Sequence, residues 1–370
     1  MGMWDWHDER MLKSIKNLFR YNLCVSREDN LLVLSDAVKE RFGELFFSTG
    51  SLYCAKAIHT TYQPTKRHGA EPPELVWKAT FGTDFLEEVR ESNLMEKLLS
   101  KQLREEDEEK LKCILLETTS PQELPTVVVA VNEFSLSHTT YRKLCTEFLS
   151  MRFASMPLFQ PFMFYTAMQA DWKKVERRAK LVAELLTEAE EVRVLCPRGT
   201  DITFSTAGRS GIADTGRLCN PGDFGNLPAG EGFIAPVEGS AQGVLVTAYA
   251  PTRALSKNTV FTVEGGKVVK VEGDEEFCSY ITGILSREEN AGNIAEFGVG
   301  VNERAKHRDN ILEAEKILGT CHIAIGDNSA FGGKVKANIH IDLLVELPTV
   351  RLKTKGGEVL LMEEGKLLVG

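Results

Sequence analysis

Seven histidines serve a chain of 370 residues, and among its eight cysteines there is no Cys-x-x-Cys pair. A thiolate zinc site therefore has no support in the sequence. The cysteines (Cys24, Cys54, Cys113, Cys145, Cys196, Cys219, Cys278 and Cys321) stand singly in apolar or strand-like stretches and read as reduced core residues. No apolar run approaches the ~20 residues that a membrane helix needs, so a membrane is not expected as a partner. Gly-x-Gly-x-x-Gly, the dinucleotide fingerprint, does not occur. A basic surplus is missing as well. Lys and Arg number 44 against 53 Asp and Glu, a formal charge of −9, which argues against nucleic acid. The first residues, MGMWDWHDERMLKSIKNLF, mix acids and bases early and lack the apolar centre of a signal peptide. The expectation is a cytoplasmic protein.

What is present is an ordinary globular balance, 43% hydrophobic and 26% charged, in a chain long enough for two domains. Residues 3–22 carry apolar side chains at helical spacing. Residues 30–35 read as a buried strand, 36–47 as a helix, 52–63 as a further strand and 64–75 as a loop. Helices occupy 83–100 and 104–112. The acidic run 105–109 reads as a solvated helix face. Thr126–Val131 is an apolar strand and 139–148 a helix. Strands alternating with helices predict an α/β domain with a mostly parallel sheet. The charged helix 171–190 is expected to connect it to the second half of the chain. From Val192 the texture changes to short strands and dense glycine, with one helix at about 308–318. The expected organisation is an N-terminal α/β domain, 1–190, and a β-rich α+β metal-binding domain, 191–370.

Chemistry concentrates in the second half. In the strand-like run His340-Ile-Asp342 the two polar residues are two apart, so they share one face. His322 lies in another apolar strand, Cys321–Ile325. Glu231 and Glu296 are single acids inside glycine-rich apolar strands, where a carboxylate is costly unless it is paired or bound to metal. Each has a plain reading of its own: a hydrogen-bonded core histidine, or an acid at a strand end facing water. Together, three carboxylates and two imidazoles suit two divalent cations about 3.5–4 Å apart. Zinc, cobalt or manganese fit this oxygen and nitrogen set better than calcium or copper. Ser137-His138-Thr139 reads either as a ligand contact at the end of a strand or as a helix cap. Arg209 and Asp214 flank a glycine-rich turn and read as pocket-shaping residues or as a pair. Gly222–Gly225, GDFG, lacks the rest of a kinase signature.

The segments NLPAGEGFIAPVEGS, AEFGVGVN, GTCHIAIGD and IHIDLL resemble the motifs of the aminopeptidase T and aminopeptidase S metallopeptidases. The resemblance implies metal ligands at Glu231, Glu296, His322, His340 and Asp342, in that order. Phe134–Thr139 and Ala154–Pro157 extend the similarity into the N-terminal half. It further implies an α/β domain followed by a β-rich catalytic domain, and a homodimer. The activity implied is removal of N-terminal residues from peptides by a metal-activated water, with one or two divalent ions.

One position departs from that pattern. The peptidases carry a tyrosine a few residues after the third-motif histidine, and here Ser329 falls at that place. A serine hydroxyl reaches less far and is a weaker acid. Glu238 is a candidate general base and Ser329 a candidate catalytic residue; Tyr249 and Tyr280 are candidates to stand in space for the missing tyrosine. Dihydroxypyridine dioxygenases of the wider superfamily resemble the same scaffold and bind one iron through two histidines and an aspartate. His322, His340 and Asp342 satisfy that set by themselves. The alternatives to the hydrolase are thus a mononuclear iron ring-cleaving dioxygenase, or a divergent metal-binding protein without peptidase activity.

Overall fold

The strand Asn30–Asp36 is apolar on both faces, and Leu31 to Leu34 are all buried. Such a strand needs a covered position inside a parallel sheet. In the computed structural model, which describes residues 8–369, it has one. Lys56–Tyr62 and Val127–Val131 pair with it on either side, followed by Arg152–Ser155 and Phe224–Asn226, all parallel. Parallel neighbours require crossovers, and helices supply most of them. The first two are Glu40–Gly50 and then Glu74–Phe81, Thr83–Glu91, Met95–Leu99 and Glu105–Thr118. Trp77, Phe81, Phe85 and Tyr141 stack into an aromatic core against one face of the sheet. The helix expected over 83–100 breaks at Asn93, which takes a positive φ of 57°. The N-terminal helix runs Glu9–Asn17 and widens into a further turn, Leu18–Asn22; the beginning of the expected 3–22 helix lies outside the described residues.

The chain forms two compact units. The first holds residues up to Tyr165 together with Arg217–Leu227, and the second Thr166–Gly216 and Pro228 onward. The inserted segment Arg217–Leu227 brings Cys219 to Cys24, and the two form a disulfide with Cα atoms 5.2 Å apart. This corrects the expectation that all eight cysteines are reduced. The partners lie far apart in sequence, and a short strand that reads as a glycine-rich turn brings them together.

The second unit contains two antiparallel sheets. One runs Lys267–Glu272, Arg253–Glu264, Gln242–Ala250, Asp201–Ser205, Ala189–Leu195, Thr349–Thr354, Gly357–Glu363 and Lys366–Leu367. The other runs His340–Glu346, Thr320–Gly326, Ile294–Gly300, Glu231–Ile234 and Ile212–Asp214. Phe204 and Phe297, one from each sheet, meet at 5.4 Å between ring centroids. The charged helix Trp172–Glu188 belongs to this unit, because its apolar stripe of Val175, Ala179, Val182 and Leu186 packs on Glu231–Ile234 and Ile212–Asp214. The expected helix at 308–318 is only Ile311–Ala314. Beyond it, Asn302 pairs through its main chain with Lys316 and Leu318 and draws the chain out of the helix. The architecture is thus the expected one, a parallel α/β sheet followed by β-rich layers. No helix among the described residues is long and apolar enough to cross a membrane.

Candidate metal centre

Register decides which side chains meet. In the five-stranded antiparallel sheet Ala324 stands opposite both Glu296 and Asp342, so these three share a face. His322 and His340 are each two residues from a member of that set and point the same way. Glu231 stands opposite Gly300 and Asp214, and Gly300 lies two residues from Gly298, which faces His322. One face of the sheet therefore collects Asp214, Glu231, Glu296, His322, His340 and Asp342 from five strands. Gly298 makes room for them. A Cβ at that position would lie 2.1 Å from His322 Cε1 and 2.4 Å from its Nε2.

The contacts are close. His322 Nε2 lies 3.3 Å from Glu296 Oε1, 3.4 Å from Glu231 Oε2 and 3.9 Å from Asp342 Oδ1. His340 Nε2 lies 3.4 Å from Glu296 Oε2 and 3.3 Å from Asp342 Oδ1. Three overlapping sets of ligand atoms result, each within 4.8 Å: Glu231, Glu296 and His322; Glu296, His340 and Asp342; and Glu315, His322 and Asp342. All five residues expected to hold metal are therefore brought together.

Lys316, Glu315, Phe331 and Phe233, which the sequence does not single out, also belong to this neighbourhood. Lys316 is 1% exposed and its Nζ lies 3.2 Å from Asp214 Oδ2 and 2.8 Å from Glu315 Oε1. It also donates to Glu231 Oε1. Arg209 and Asp214 do not pair with each other: Asp214 goes to Lys316, and Arg209 goes to Glu238 and the carbonyl of Gly332. Phe331 sets its ring edge-on to His340 at 5.7 Å and also meets Phe233 at 5.7 Å, forming an aromatic wall beside the histidine.

The charges are arranged for a cation. Burial pushes Glu231 up to about 7, although Lys316 and His322 pull it down. Burial likewise pushes Glu315 up to about 8 against the pull of Lys316. Burial alone would lower both histidines. The neighbouring carboxylates outweigh it, taking His322 to about 9 and His340 well above its ordinary value. Asp342 is held well below the usual carboxylate range, because His340 and His322 overcome its burial. The imidazole protons here do what a bound cation would do.

The donor set fits a metal ion. Nδ1 of His340 lies 2.8 Å from the carbonyl oxygen of Asp327. A carbonyl only accepts, so Nδ1 carries the proton, and a neutral ring then turns the Nε2 lone pair on Asp342 and Glu296. A lone pair facing two carboxylates is stable only with a proton or a cation between them. Glu231 Oε2 and His322 Nδ1, both buried, have no hydrogen-bond partner among the described residues. Two imidazoles and several carboxylates suit iron, manganese, cobalt or zinc.

A family model described as NicX, 2,5-dihydroxypyridine 5,6-dioxygenase, matches residues 162–368, more than half of the chain. The chain belongs to this family. Among solved structures, this NicX-family chain is similar to the 2,5-dihydroxypyridine dioxygenase of Pseudomonas putida KT2440. The two superpose with a TM-score of 0.70 at 16% identity, over 98% of this chain and 97% of that one. It is also similar to wild-type AmpT of Thermus thermophilus, with a TM-score of 0.59 at 16% identity, over 97% of this chain and 99% of that one. At such identity these likenesses show the fold. No curated protein matches the chain. The aminopeptidase resemblance thus holds for the fold, while the family is that of the dioxygenase, and the dioxygenase alternative is better supported than the hydrolase.

The two residues expected to act on substrate lie in the loop between the last two strands of the site or against it. Glu238 accepts from the main-chain N–H of Lys334 at 2.7 Å and from Asn328 Nδ2 at 3.1 Å, and it pairs with Arg209. Those partners make it an anchor for the loop that carries Phe331. Ser329 Oγ donates to Asp327 at 3.0 Å. Tyr280 is exposed and stacks on Phe277. Thr139 accepts from the N–H of Arg142, which makes the Ser137–Thr139 stretch a helix cap.

Proposed function

We propose that the protein is a mononuclear iron(II) dioxygenase that opens a hydroxylated aromatic ring of the dihydroxypyridine type. The observation that carries this reading is the convergence of His322 Nε2, His340 Nε2 and Asp342 Oδ1 on one face of a sheet, in a chain of the dihydroxypyridine dioxygenase family. Two imidazoles and one carboxylate are a donor set that would suit ferrous iron. In this reading His322, His340 and Asp342 would hold the ion, and Glu296, in contact with both imidazoles, would orient them. When bound, ferrous iron supplies one-electron exchange with dioxygen, which an electron-rich ring and dioxygen do not achieve on their own.

The chain's own residues supply position and polarity. Phe331 and Phe233 give a flat ring an apolar surface beside His340. The Arg209–Glu238–Lys334 connections hold Phe331 there. A homodimer remains part of the proposal on the strength of the sequence resemblance, a cytoplasmic location is carried over from the reading of the sequence itself, and the expected partner is a small molecule, with no nucleic acid and no membrane.

The hydrolase reading draws on Glu231 and Glu296, which together with His322 offer a second cation position. Family membership favours the dioxygenase over it.

The test uses protein reconstituted with ferrous iron without air. With 2,5-dihydroxypyridine it is expected to take up oxygen in proportion to ring absorbance lost. Turnover unchanged by removal of oxygen, or release of N-terminal amino acids from peptides with no oxygen uptake, would overturn the reading.

A further inference from the structure

Lys316 pairs with none of His322, His340 and Asp342, yet it sits in the middle of the acidic face. It is 1% exposed and contacts Asp214, Glu231 and Glu315. Two of these three belong to ligand sets built on His322: Glu231 with Glu296, and Glu315 with Asp342. The remaining set, Glu296, His340 and Asp342, contains no carboxylate that touches Lys316. The ammonium is therefore confined to one side of the cluster.

We propose that Lys316 is a built-in cation that takes the place of a second metal ion and limits the centre to one divalent ion, on the side of Glu296, His340 and Asp342. A two-ion centre needs two adjacent ligand sets sharing a carboxylate. This sheet offers them, with Glu296 common to the sets around His322 and His340. In the first set Lys316 already occupies Glu231 Oε1. An ion bound to Glu231 would face the ammonium across a single carboxylate, in a dry interior where like charges repel strongly. The lysine has no way out. Leaving its place would bury an unpaired charge and strip three carboxylates of their partner. Three acids around one ammonium also keep its proton in place. A single positive charge thus does structurally what a second ion would do, and His322 is left free to serve the remaining ion.

The inference rests on the metal site used by the proposed function, not on the reaction. Its test is metal count. Chelator-stripped protein is loaded with excess manganese(II), freed of unbound metal, and read by elemental analysis and electron paramagnetic resonance. Wild type is expected to hold one ion per chain with the spectrum of an isolated ion. Lys316→Met and Lys316→Gln are expected to hold two, with an exchange-coupled spectrum, and Lys316→Arg to return to one. Two ions in wild type overturn the proposal, as does one ion in folded Lys316→Met and Lys316→Gln. If the neutral variants do not fold, wild type and Lys316→Arg decide: one isolated ion in both supports it, and two in either overturns it. A protein with one ion and no oxygen uptake would leave this inference standing and remove the ring-opening reading. Oxygen-dependent turnover with two ions would do the reverse.

Discussion

His340 donates its Nδ1 proton to the main-chain carbonyl of Asp327, 2.8 Å away, and by that bond aims Nε2 at Asp342 and Glu296. The contact spans the loop that also carries Phe331, so the position of the aromatic wall and the tautomer of the histidine are set together. Replacing the ring removes a donor that nothing nearby can imitate. His340→Ala should lose metal affinity by on the order of 100-fold, going by the size of effects around metal ligands. Oxygen uptake should fall with it. Competition with a chromophoric chelator measures the first, and an oxygen electrode the second. Normal turnover with unchanged metal content would show that the ion is held elsewhere.

Gly298 faces His322 across the paired strands, and its missing side chain is what admits the imidazole. A methyl group there would stand 2.1 Å from Cε1, 2.4 Å from Nε2 and 3.1 Å from Glu231 Oε2. The strand backbone accepts alanine without strain, so the clash falls on the histidine. Gly298→Ala is expected to keep the circular dichroism of the wild type while metal affinity drops by roughly 10- to 100-fold. Equal affinity in the variant would mean that His322 does not need its present place to bind.

The residues of the cluster were readable in the sequence for a simple reason. A strand repeats every two residues, so His340 and Asp342 had to share a face, and lone acids such as Glu231 and Glu296 in apolar, glycine-rich strands are conspicuous. Lys316 was not readable. It stands beside Glu315 in a stretch patterned like a solvated helix, and only the main-chain pairing of Asn302 with Lys316 and Leu318 turns it inward. The Cys24–Cys219 bridge was hidden for a related reason. It depends on residues Arg217–Leu227 returning to the first unit, where Phe224–Asn226 is a strand too short to announce itself. The surroundings of Glu238 were hidden as well, since its partners Asn328 and Lys334 lie about a hundred residues on, across a turn whose shape no local pattern encodes.

Glu238 separates two roles by experiment. As a general base its loss would cost 10²- to 10⁴-fold in rate, typical of such groups, and would remove one limb of the pH profile. As an anchor it acts through the loop. Glu238→Ala should then raise KM for a ring substrate, lower kcat by less than about tenfold, and speed proteolytic cleavage within 327–338. Glu238→Gln keeps an oxygen for the Lys334 N–H and should recover most of the loss. A rate collapse in Glu238→Gln with no change in proteolysis would favour the base.

Asp29 gives the first unit a pH-dependent tie. Its carboxylate accepts from the N–H of Ser26 at 2.7 Å and from Thr126 Oγ1 at 2.7 Å, and it pairs with Arg152, which also donates to the carbonyls of Leu23 and Cys24. Burial works to raise its pKa, but the Arg152 and Ser26 hydrogen bonds outweigh it and hold the group below its ordinary value. A depressed carboxylate stabilises the fold fully above the unfolded pKa of about 3.9, and the contribution is lost as pH falls through the folded value. Asp29→Asn strands a mostly buried guanidinium and should cost about 1–3 kcal/mol at pH 7. The gap between wild type and variant should then narrow as the pH drops below about 4. Urea unfolding at pH 7, 5 and 3.5 reads this directly, and a gap that stays constant across those three values would mean that the charge on Asp29 is not what holds Arg152.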